Sequence, residues 1–261
     1  MSDLNLRTIF PISKARVGPS LFFFPDQGGT SFYAKKLVAK IDSEFACYGI
    51  KFDPKLLERF STLQDTARSI AIDLRASNMS EPLHLIGHSF SGLLAYETAC
   101  QLLSLGSRVG LLVLLDTRLP RRLYSSRLYF RAVEIARAIR YRQYKLAKQV
   151  LLGIHDSNSI RNLLSRLDLS KYPASYRSTL EQLIGARIDY KPGSYTGDIT
   201  LIKASNFSNG ILYPKYLGWE YFAKGKIDLF RVRCAHMEMV TSDRATKQVA
   251  QHLLRLLKKP E

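Results

Sequence analysis

Residues 83–96 constrain the fold most strongly, because an apolar strand pattern there ends at a serine and a helical pattern begins directly after it. The segment reads LHLIGHSFSGLLAY, with Gly87, Ser89 and Gly92 around the change of pattern. A strand that turns sharply into a helix holds the serine hydroxyl at the tip of a sheet, and small residues must flank it. This is the pattern of a nucleophile elbow, although Ser91 stands where the usual motif has its second glycine. A glycine-rich strand-to-helix turn with an incidental serine would also fit the short motif.

Short apolar runs alternate with helical patterns along most of the chain. Continuous apolar runs bounded by turn residues are typical of strands that are buried on both faces of a sheet. One helix start is marked by Ser61 and Gln64, which have the spacing of a capping box with Ser61 as the N-cap. The alternation predicts an α/β fold, an α/β-hydrolase with a mostly parallel central sheet flanked by helices. The predicted strands are 21–24, 45–50, 83–89, 109–115, 199–203 and 227–232.

The strand pattern lapses between residue 117 and about residue 195, where helical patterns replace it. Lys191-Pro192-Gly193 closes this stretch, and a strand pattern resumes at Ile199. The sequence therefore predicts one domain over residues 1–261 with a helical insertion at 117–195. An insertion between late strands of a parallel sheet lies above the strand ends, where ligands bind, so we expect it to act as a lid.

Composition narrows the class of protein. The chain has 261 residues, of which 46% are hydrophobic, so it can bury a substantial core. No apolar run approaches the ~20 residues of a membrane helix, and the first residues lack a signal-peptide pattern, which predicts a cytoplasmic protein with no membrane partner. Cys47, Cys100 and Cys234 are too few and too widely spaced for a disulfide framework or a zinc site. We therefore predict reduced thiols and no bound metal.

Positive charge is concentrated in one part of the chain. The net charge is +17, and residues 117–150 hold eight Arg and two Lys against the single acid Glu134, a net of +9. Such an excess favours nucleic acid, an anionic surface or an acidic protein as a partner, although a solvated helix face would have the same composition. Basic and aromatic residues are not interleaved as in known nucleic-acid modules, so no nucleic-acid partner is predicted.

A serine hydroxyl needs a general base, and the base needs an orienting acid. His236 is the predicted base, because it follows a late strand in a loop that can reach over the sheet to Ser89. The other four histidines lie in a strand, at the variable position of the elbow, in the insertion and in the last helix: His84, His88, His155 and His252.

Asp116 is the predicted acid, because it ends the strand that follows the elbow helix. The loop after the strand at 199–203 offers no acid, and Asp198 stands at the opposite end of that strand. The order serine, aspartate, histidine is the one that α/β-hydrolases use. An aspartate that only caps the first helix of the insertion is the alternative.

Backbone N–H groups must stabilise the negative charge that develops on the attacked carbonyl oxygen. The N–H of Phe90, directly after the serine, is one predicted donor. Gln27 is the other, because Gly28 and Gly29 allow a close backbone approach in the loop after the first predicted strand. The same glycines could form a phosphate-binding turn, but no phosphate-loop motif follows them.

Six short motifs together resemble the thioesterase domains that end nonribosomal peptide and polyketide synthases. The likeness spans nearly the whole chain, and it is weakest in the insertion. An acid directly after the elbow helix and its strand makes the combination more specific than the elbow alone. The motifs are FPDQGG at 24–29, GHSF at 87–90, AYETA at 95–99, VLLDT at 113–117, YTGDITL at 195–201 and HMEM at 236–239.

The resemblance implies that Ser89 takes an acyl or peptidyl chain from the phosphopantetheine thioester of a carrier protein, with His236 as base and Asp116 as its orienting acid. Release then follows by hydrolysis or by macrocyclisation, and no cofactor is bound by the domain itself. The residues before Leu21 resemble a linker from an upstream carrier domain, which favours a synthase domain over a free-standing enzyme. A free-standing carboxylesterase or lipase, an editing thioesterase and a non-catalytic docking module remain alternatives.

The resemblance also suggests a purpose for the basic stretch. Carrier proteins are acidic and phosphopantetheine carries a phosphate, so we expect Arg121, Arg122 and Arg127 to contribute to a carrier-binding surface. Two positions depart from the family pattern: Ser91 replaces a glycine, and Cys234-Ala235 replaces the small pair that commonly precedes the histidine.

Overall fold

The computed structural model describes residues 9–13, 18–41, 45–52, 62–77, 79–120, 174–205 and 214–258, together with single positions between 123 and 148. Its strands are β1 (Ile9–Pro11), β2 (Ser20–Phe23), β3 (Ala46–Ile50), β4 (Leu83–His88), β5 (Val109–Leu115), β6 (Ile199–Ala204) and β7 (Ile227–Val232). Its helices are α1 (Lys35–Val38), α2 (Leu63–Ala76), α3 (Phe90–Ser104), α4 (Ala174–Asp189), α5 (Glu238–Thr241) and α6 (Asp243–Leu257).

The strands of the described residues form one sheet in the order β1-β3-β2-β4-β5-β6-β7. All neighbouring pairs are parallel except β1 with β3, which is antiparallel. The predicted α/β fold with a mostly parallel sheet is therefore confirmed. Strand β1 was not predicted, because it is only three residues long, ends in Pro11 and lies at the edge of the sheet, where no continuous apolar run is needed.

Both faces of the sheet are covered, as the continuous apolar runs predicted. Phe22 packs in one core cluster with residues of α2 and α3, whereas Phe23 packs in a second cluster with residues of α1, α5 and α6. Successive side chains of a strand point to opposite faces, so each buried strand supplies both clusters. This double burial explains why the strand sequences lack an alternation of polar and apolar residues.

Helix α2 begins one residue later than the capping pattern predicted. Its N-cap is Thr62, whose side chain accepts the backbone N–H of Asp65 at 3.1 Å. The Thr62 hydroxyl also donates to the Asp65 carboxylate at 2.6 Å. The predicted cap at Ser61 was wrong, because Thr62 also has a hydroxyl that can cap the helix and it has an acid three residues later.

The end of the predicted insertion is attached to the elbow helix by a buried carboxylate. Glu97 of α3 accepts the Gly193 N–H at 3.0 Å and the Tyr190 hydroxyl at 3.3 Å, both on Oε2. Tyr96 donates its hydroxyl to the Gly193 carbonyl at 2.9 Å. These bonds hold the chain between α4 and β6 against α3. The extent of the insertion, 117–195, stays a prediction, because most of its residues lie outside the described ranges.

No helix in the described ranges combines the length and the apolar character that crossing a membrane would require.

Candidate active site

The turn between β4 and α3 holds Ser89 in a strained conformation. Ser89 has φ 58° and ψ −116°, and it is the N-cap residue of α3. A non-glycine residue in such a region costs on the order of 1–3 kcal/mol, so the surrounding contacts must impose it. The Ser89 N–H donates to the Leu115 carbonyl at 2.9 Å, which continues the pairing of β4 with β5 to the end of the strand. Ser89 therefore stands at the carboxyl end of β4, in the elbow geometry that the sequence predicted.

The glycines of the elbow are required by close contacts. A Cβ on Gly87 would overlap the backbone of Ser91, and a Cβ on Gly92 would overlap the Thr117 side chain. Ser91 is accommodated in the usual glycine position, where its hydroxyl donates to the His88 carbonyl at 2.9 Å. The chain thus needs its second small residue at 92, where α3 approaches the loop after β5.

Asp116 is buried in the loop directly after β5. Its N–H donates to the Ile202 carbonyl at 2.7 Å, and its Oδ1 accepts the Ala204 N–H at 3.1 Å. Like Ser89, Asp116 is a non-glycine residue with a positive φ, which is 44°. Contacts to neighbouring β6 therefore fix the backbone and one carboxylate oxygen, and Oδ2 remains for other donors.

Two side chains converge on that second oxygen. His236 Nδ1 lies 2.6 Å from Asp116 Oδ2, and Arg118 Nη2 lies 3.0 Å from the same atom. Burial by itself would raise the pKa of Asp116, but the hydrogen bond from His236 and the charge of Arg118 outweigh it and lower the pKa below its usual value. Because the carboxylate is ionised, Nδ1 of His236 carries the proton and Nε2 is left as an acceptor.

The three predicted catalytic residues follow three parallel strands, and the carboxyl ends of these strands lie on the same side of the sheet. Ser89 follows β4, Asp116 follows the adjacent β5, and His236 follows β7. Of these, the structure joins Asp116 and His236 by a hydrogen bond. Between the described Ser89 and His236 side chains no hydrogen bond is present. Catalytic hydrogen bonds often shorten only when substrate binds.

The loop after β2 is held by hydrogen bonds to Asp26. Asp26 Oδ1 accepts the N–H of Gly28 at 2.8 Å and that of Thr30 at 3.4 Å, and the Asp26 carbonyl accepts the Gly29 N–H at 2.9 Å. In the described loop, the N–H of Gln27 takes part in none of these bonds. Phe90 is the first residue of α3, so its N–H has no acceptor within the helix. The geometry is compatible with both predicted oxyanion donors.

The residues predicted to bind a carrier, Arg121, Arg122 and Arg127, lie outside the described residues. Arg118 belongs to the same basic stretch in the sequence, but in the structure it contacts Asp116. Within the described part of the chain, no group of three or more His, Cys, Asp or Glu side chains could hold a metal ion.

No catalytic role was predicted for His88 from the sequence, yet its ring lies against that of His236. The two rings are 4.7 Å apart between centroids at an interplanar angle of 27°, and His88 Nε2 is 3.1 Å from the His236 carbonyl oxygen. Only its position next to Ser89 could have drawn attention to it, and position alone does not reveal a contact 148 residues away in the chain. The contact of Arg118 with Asp116 could have been inferred from the sequence, because the two residues are only two positions apart.

Two curated relatives are large peptide synthetases. Malpibaldin synthetase of Mortierella alpina is 22% identical over 242 residues, which are 91% of this chain and 4% of that protein. The dimodular nonribosomal peptide synthase of Bacillus subtilis (strain 168) is 22% identical over 256 residues, which are 91% of this chain and 10% of that protein. The chain thus spans a tenth or less of the length of these relatives.

Solved thioesterase domains have the same fold. The SrfTE domain, from a study of the cyclization of the lipopeptide antibiotic surfactin, has a TM-score of 0.65 at 17% identity and covers 98% of each chain. The NocB thioesterase domain from the Nocardicin cluster has a TM-score of 0.63 at 18% identity and covers 97% of this chain and 100% of that chain. The family model of the thioesterase domain matches residues 19–257. The chain therefore belongs to the thioesterase domain family, as the sequence motifs indicated.

Proposed function

We propose that this chain is a serine thioesterase that releases an acyl or peptidyl chain from a phosphopantetheinyl carrier protein. The observation that carries the proposal is the 2.6 Å hydrogen bond between His236 and the buried Asp116, at the sheet edge where the elbow holds Ser89. Membership of the thioesterase domain family supports it. A histidine oriented by an ionised carboxylate is the base that a serine nucleophile requires.

The first half of the reaction transfers the acyl group to the enzyme. Ser89 Oγ attacks the thioester carbonyl carbon, and its proton passes to His236 Nε2. Collapse of the tetrahedral intermediate breaks the C–S bond, and the phosphopantetheine thiol leaves with that proton. Asp116 stays ionised and stabilises the imidazolium while it exists. The product is an ester of the acyl chain on Ser89.

The negative oxygen of the tetrahedral intermediate would be bound by the N–H groups of Phe90 and Gln27. The Asp26 side chain supports this role. Its hydrogen bonds fix Gly28 and Thr30 of the loop, and the Gln27 N–H takes no part in them. Each such donor is worth about 3–4 kcal/mol of the activation barrier.

The second half releases the chain from Ser89. His236 takes a proton from water, or from an amine or hydroxyl group within the acyl chain, and that oxygen or nitrogen attacks the ester. The bond between the carbonyl carbon and Ser89 Oγ then breaks, and Ser89 Oγ takes the proton back from His236. Water gives a free acid, and an internal nucleophile gives a ring. Analysis by mass spectrometry of the product from a carrier loaded with its native chain decides between the two.

A fluorophosphonate probe tests the nucleophile. The probe phosphonylates an activated serine, so we expect it to label the wild-type chain and to leave Ser89→Ala unlabelled. Ser91→Ala is the matched control, because Ser91 is buried two residues away and its hydroxyl is bonded to the His88 carbonyl. Labelling of Ser89→Ala at the wild-type rate would refute an acyl-enzyme at Ser89, and an unlabelled wild-type chain would support a non-catalytic module.

The carrier-bound substrate is tested by comparison with simple esters. For a thioesterase that serves a carrier protein, we expect a higher kcat/KM for a carrier-bound acyl thioester than for a short oxyester with the same acyl group. The opposite preference would favour a carboxylesterase or lipase.

We propose that Arg121, Arg122 and Arg127 bind the acidic carrier. Their replacement by Glu is expected to raise KM for a carrier supplied in solution, and added salt is expected to weaken wild-type transfer. Reaction with a small acyl thioester is the control, because it needs no carrier surface. Transfer from the carrier that responds to neither change would exclude this docking surface.

A further inference from the structure

A second histidine lies buried against His236 and has no part in the proposed chemistry. His88 is the last residue of β4, directly before Ser89, and only 6% of its surface is exposed. One ring nitrogen faces the His236 carbonyl oxygen at 3.1 Å, and its ring stacks on the His236 ring. The other described ring beside it is that of Tyr33, 5.8 Å away between centroids. His88 therefore touches both the backbone and the imidazole of the proposed base.

The partner identifies the tautomer of His88. A carbonyl oxygen can only accept, so Nε2 of His88 must carry the proton and donate it. The pKa of His88 is lowered to about 4, chiefly by burial and next by the positive charge of a protonated His236, and the hydrogen bond to the His236 carbonyl and the nearby Asp116 carboxylate offset this only in part. His88 is consequently a neutral donor at neutral pH, and it adds no positive charge beside the His236 ring when that ring takes up a proton.

Two other hydrogen bonds of the loop that carries His236 are made within the loop and its flanking residues. The Cys234 N–H donates to the Val232 carbonyl at 2.9 Å, and the Ala235 N–H donates to Glu238 Oε2 at 2.7 Å. Both bonds are local to the loop. Asp116 holds the ring from β5, and His88 holds the backbone of the same residue from β4. The bond from His88 thus ties the loop of the base to the strand that ends in the nucleophile.

We propose that His88 is a positioning residue that fixes the His236 backbone, and through it the imidazole, relative to Ser89. The inference rests on the proposed serine thioesterase chemistry. The distance between Ser89 and His236 depends on how β4 and the loop after β7 sit relative to each other. A donor on β4 that binds the loop at His236 itself sets that distance directly. A shift of about 1 Å in such a constellation can cost on the order of 100-fold in rate.

Three substitutions separate the hydrogen bond from the ring contact. His88→Phe keeps a stacking ring without a donor, His88→Gln keeps an amide donor without a ring, and His88→Met has neither. We expect His88→Phe and His88→Met to lower kcat for a short acyl thioester by about 10- to 100-fold with KM nearly unchanged. His88→Gln is expected to recover most of that loss, because its side-chain amide can donate to the same carbonyl. The rate of fluorophosphonate labelling should follow kcat in all three.

A readout that does not depend on activity accompanies these rates. The proton between His236 Nδ1 and Asp116 is expected at low field in the ¹H NMR spectrum, because the bond is short and charge-assisted. We expect it to be broadened or lost in His88→Phe and His88→Met, and retained in His88→Gln. Fluorescence of the only tryptophan, Trp219, shows whether each variant is folded.

The outcomes distinguish the two levels of inference. An unreactive wild-type chain would refute the proposed function, and the NMR comparison would then still test whether His88 holds His236. A reactive wild type together with His88→Phe at the wild-type kcat would overturn the positioning role and leave the proposed function intact. His88→Gln as slow as His88→Met, with both variants folded, would also overturn it. If His88→Met fails to fold, the Phe and Gln variants decide the question.

Discussion

Asp116 accepts hydrogen bonds from three residues, one in its own loop and two in other parts of the chain. Ala204 at the end of β6 donates to Oδ1, while Arg118 and His236 donate to Oδ2. A buried carboxylate is stable only when its oxygens are satisfied, and these donors satisfy both. The same bonds fix the orientation of the His236 ring, so a single residue serves the stability of the site and its proposed chemistry.

Asp116→Asn tests that dual role. Asparagine can still accept from Ala204, but its NH₂ group faces two donors, His236 and Arg118. We expect the imidazole to lose its tautomer and its electrostatic support, and kcat to fall by about 10⁴-fold with the fold retained. Steady-state kinetics on a short acyl thioester measure the loss, and circular dichroism checks the fold.

Asp198→Asn is the matched control for this substitution. Asp198 lies at the amino end of β6, where it is exposed and accepts the Lys226 N–H at 2.8 Å. We expect wild-type kcat, because this end of the sheet is remote from Ser89. An inactive Asp198 variant beside an active Asp116 variant would move the acid to the other aspartate.

At the scale of elements, helix α3 organises the site. It is apolar or buried on nearly every side, which is typical of a helix in the centre of a protein rather than at its surface. It packs against β4, β5 and α2. Its N-terminus positions the elbow, its first turn meets the loop after β5 at Gly92, and Glu97 further along holds the residues before β6. Substitutions along α3 therefore report on different junctions of the fold.

Gly92→Ala tests the junction with the loop after β5. Alanine in a helix normally stabilises by about 1 kcal/mol relative to glycine. Here its Cβ would overlap Thr117, so we expect a net loss of about 2 kcal/mol or more in the free energy of unfolding. Urea unfolding followed by Trp219 fluorescence measures it, since the Trp219 indole donates to the Thr117 carbonyl at 2.9 Å.

Gly106→Ala provides the comparison. Gly106 has φ +81° and open space around the added Cβ, so only backbone strain of about 1 kcal/mol is expected. A Gly92→Ala protein as stable as wild type would show that α3 can move away from Thr117.

Glu97→Gln tests the attachment of the segment before β6. Both the Gly193 N–H and the Tyr190 hydroxyl donate to Oε2 of Glu97, and the Gln101 side-chain amide donates to Oε1 at 3.4 Å, so a glutamine whose oxygen replaces Oε2 would turn its NH₂ group toward the Gln101 donor. We expect a loss of about 1–3 kcal/mol in the free energy of unfolding, because a buried donor is left unsatisfied. Tyr190→Phe, which removes one of the two donors, is expected to cost only about 1 kcal/mol. The reverse order in urea unfolding would contradict this account.

At the scale of the whole molecule, the parallel sheet brings distant residues together. Residues that follow β2, β4, β5 and β7 all lie at the carboxyl edge, which is where ligands bind in open α/β sheets. This arrangement also buries an ionisable residue, His88, at the carboxyl end of β4. Its low pKa couples the stability of the entire fold to pH.

Lowering the pH should destabilise the fold before carboxylates are protonated. Unfolded, His88 titrates near pH 6.5, whereas in the fold its pKa is about 4. Between these values the unfolded state binds a proton that the native state does not, so the free energy of unfolding decreases as pH falls, by up to about 3 kcal/mol. Asp116, whose pKa is lowered from 3.8, adds its loss only below that value. Urea unfolding of the wild type from about pH 7 to about pH 4.5 measures the slope.

His88→Phe is the control for the pH dependence. It lacks the titrating group, so its free energy of unfolding should change less with pH in this window, whatever its absolute stability. His252, whose pKa is lowered by partial burial and by Arg255, contributes equally to both proteins. Parallel slopes in the two proteins would assign the dependence to another group.

The sequence predicted most of the elements and the order of the candidate residues. Strand β5 was predicted with its observed bounds, and β2 and β6 within a residue. These succeeded because double burial produces continuous apolar runs, a strictly local signal. Strand β1 was missed, since two partly buried residues and an exposed proline produce no such run. The cap of α2 was placed one residue early, because Ser61 and Thr62 both have hydroxyls that can cap a helix.

By itself the sequence determined the α/β fold class, the elbow at Ser89 and the thioesterase domain family, because each depends on periodicity or on motifs a few residues long. Only the tertiary structure decided which side chains meet. The contacts of His88 and Asp116 with His236 join residues 148 and 120 positions apart. Such contacts follow from how parallel strands are ordered in the sheet, which no local pattern of residues specifies.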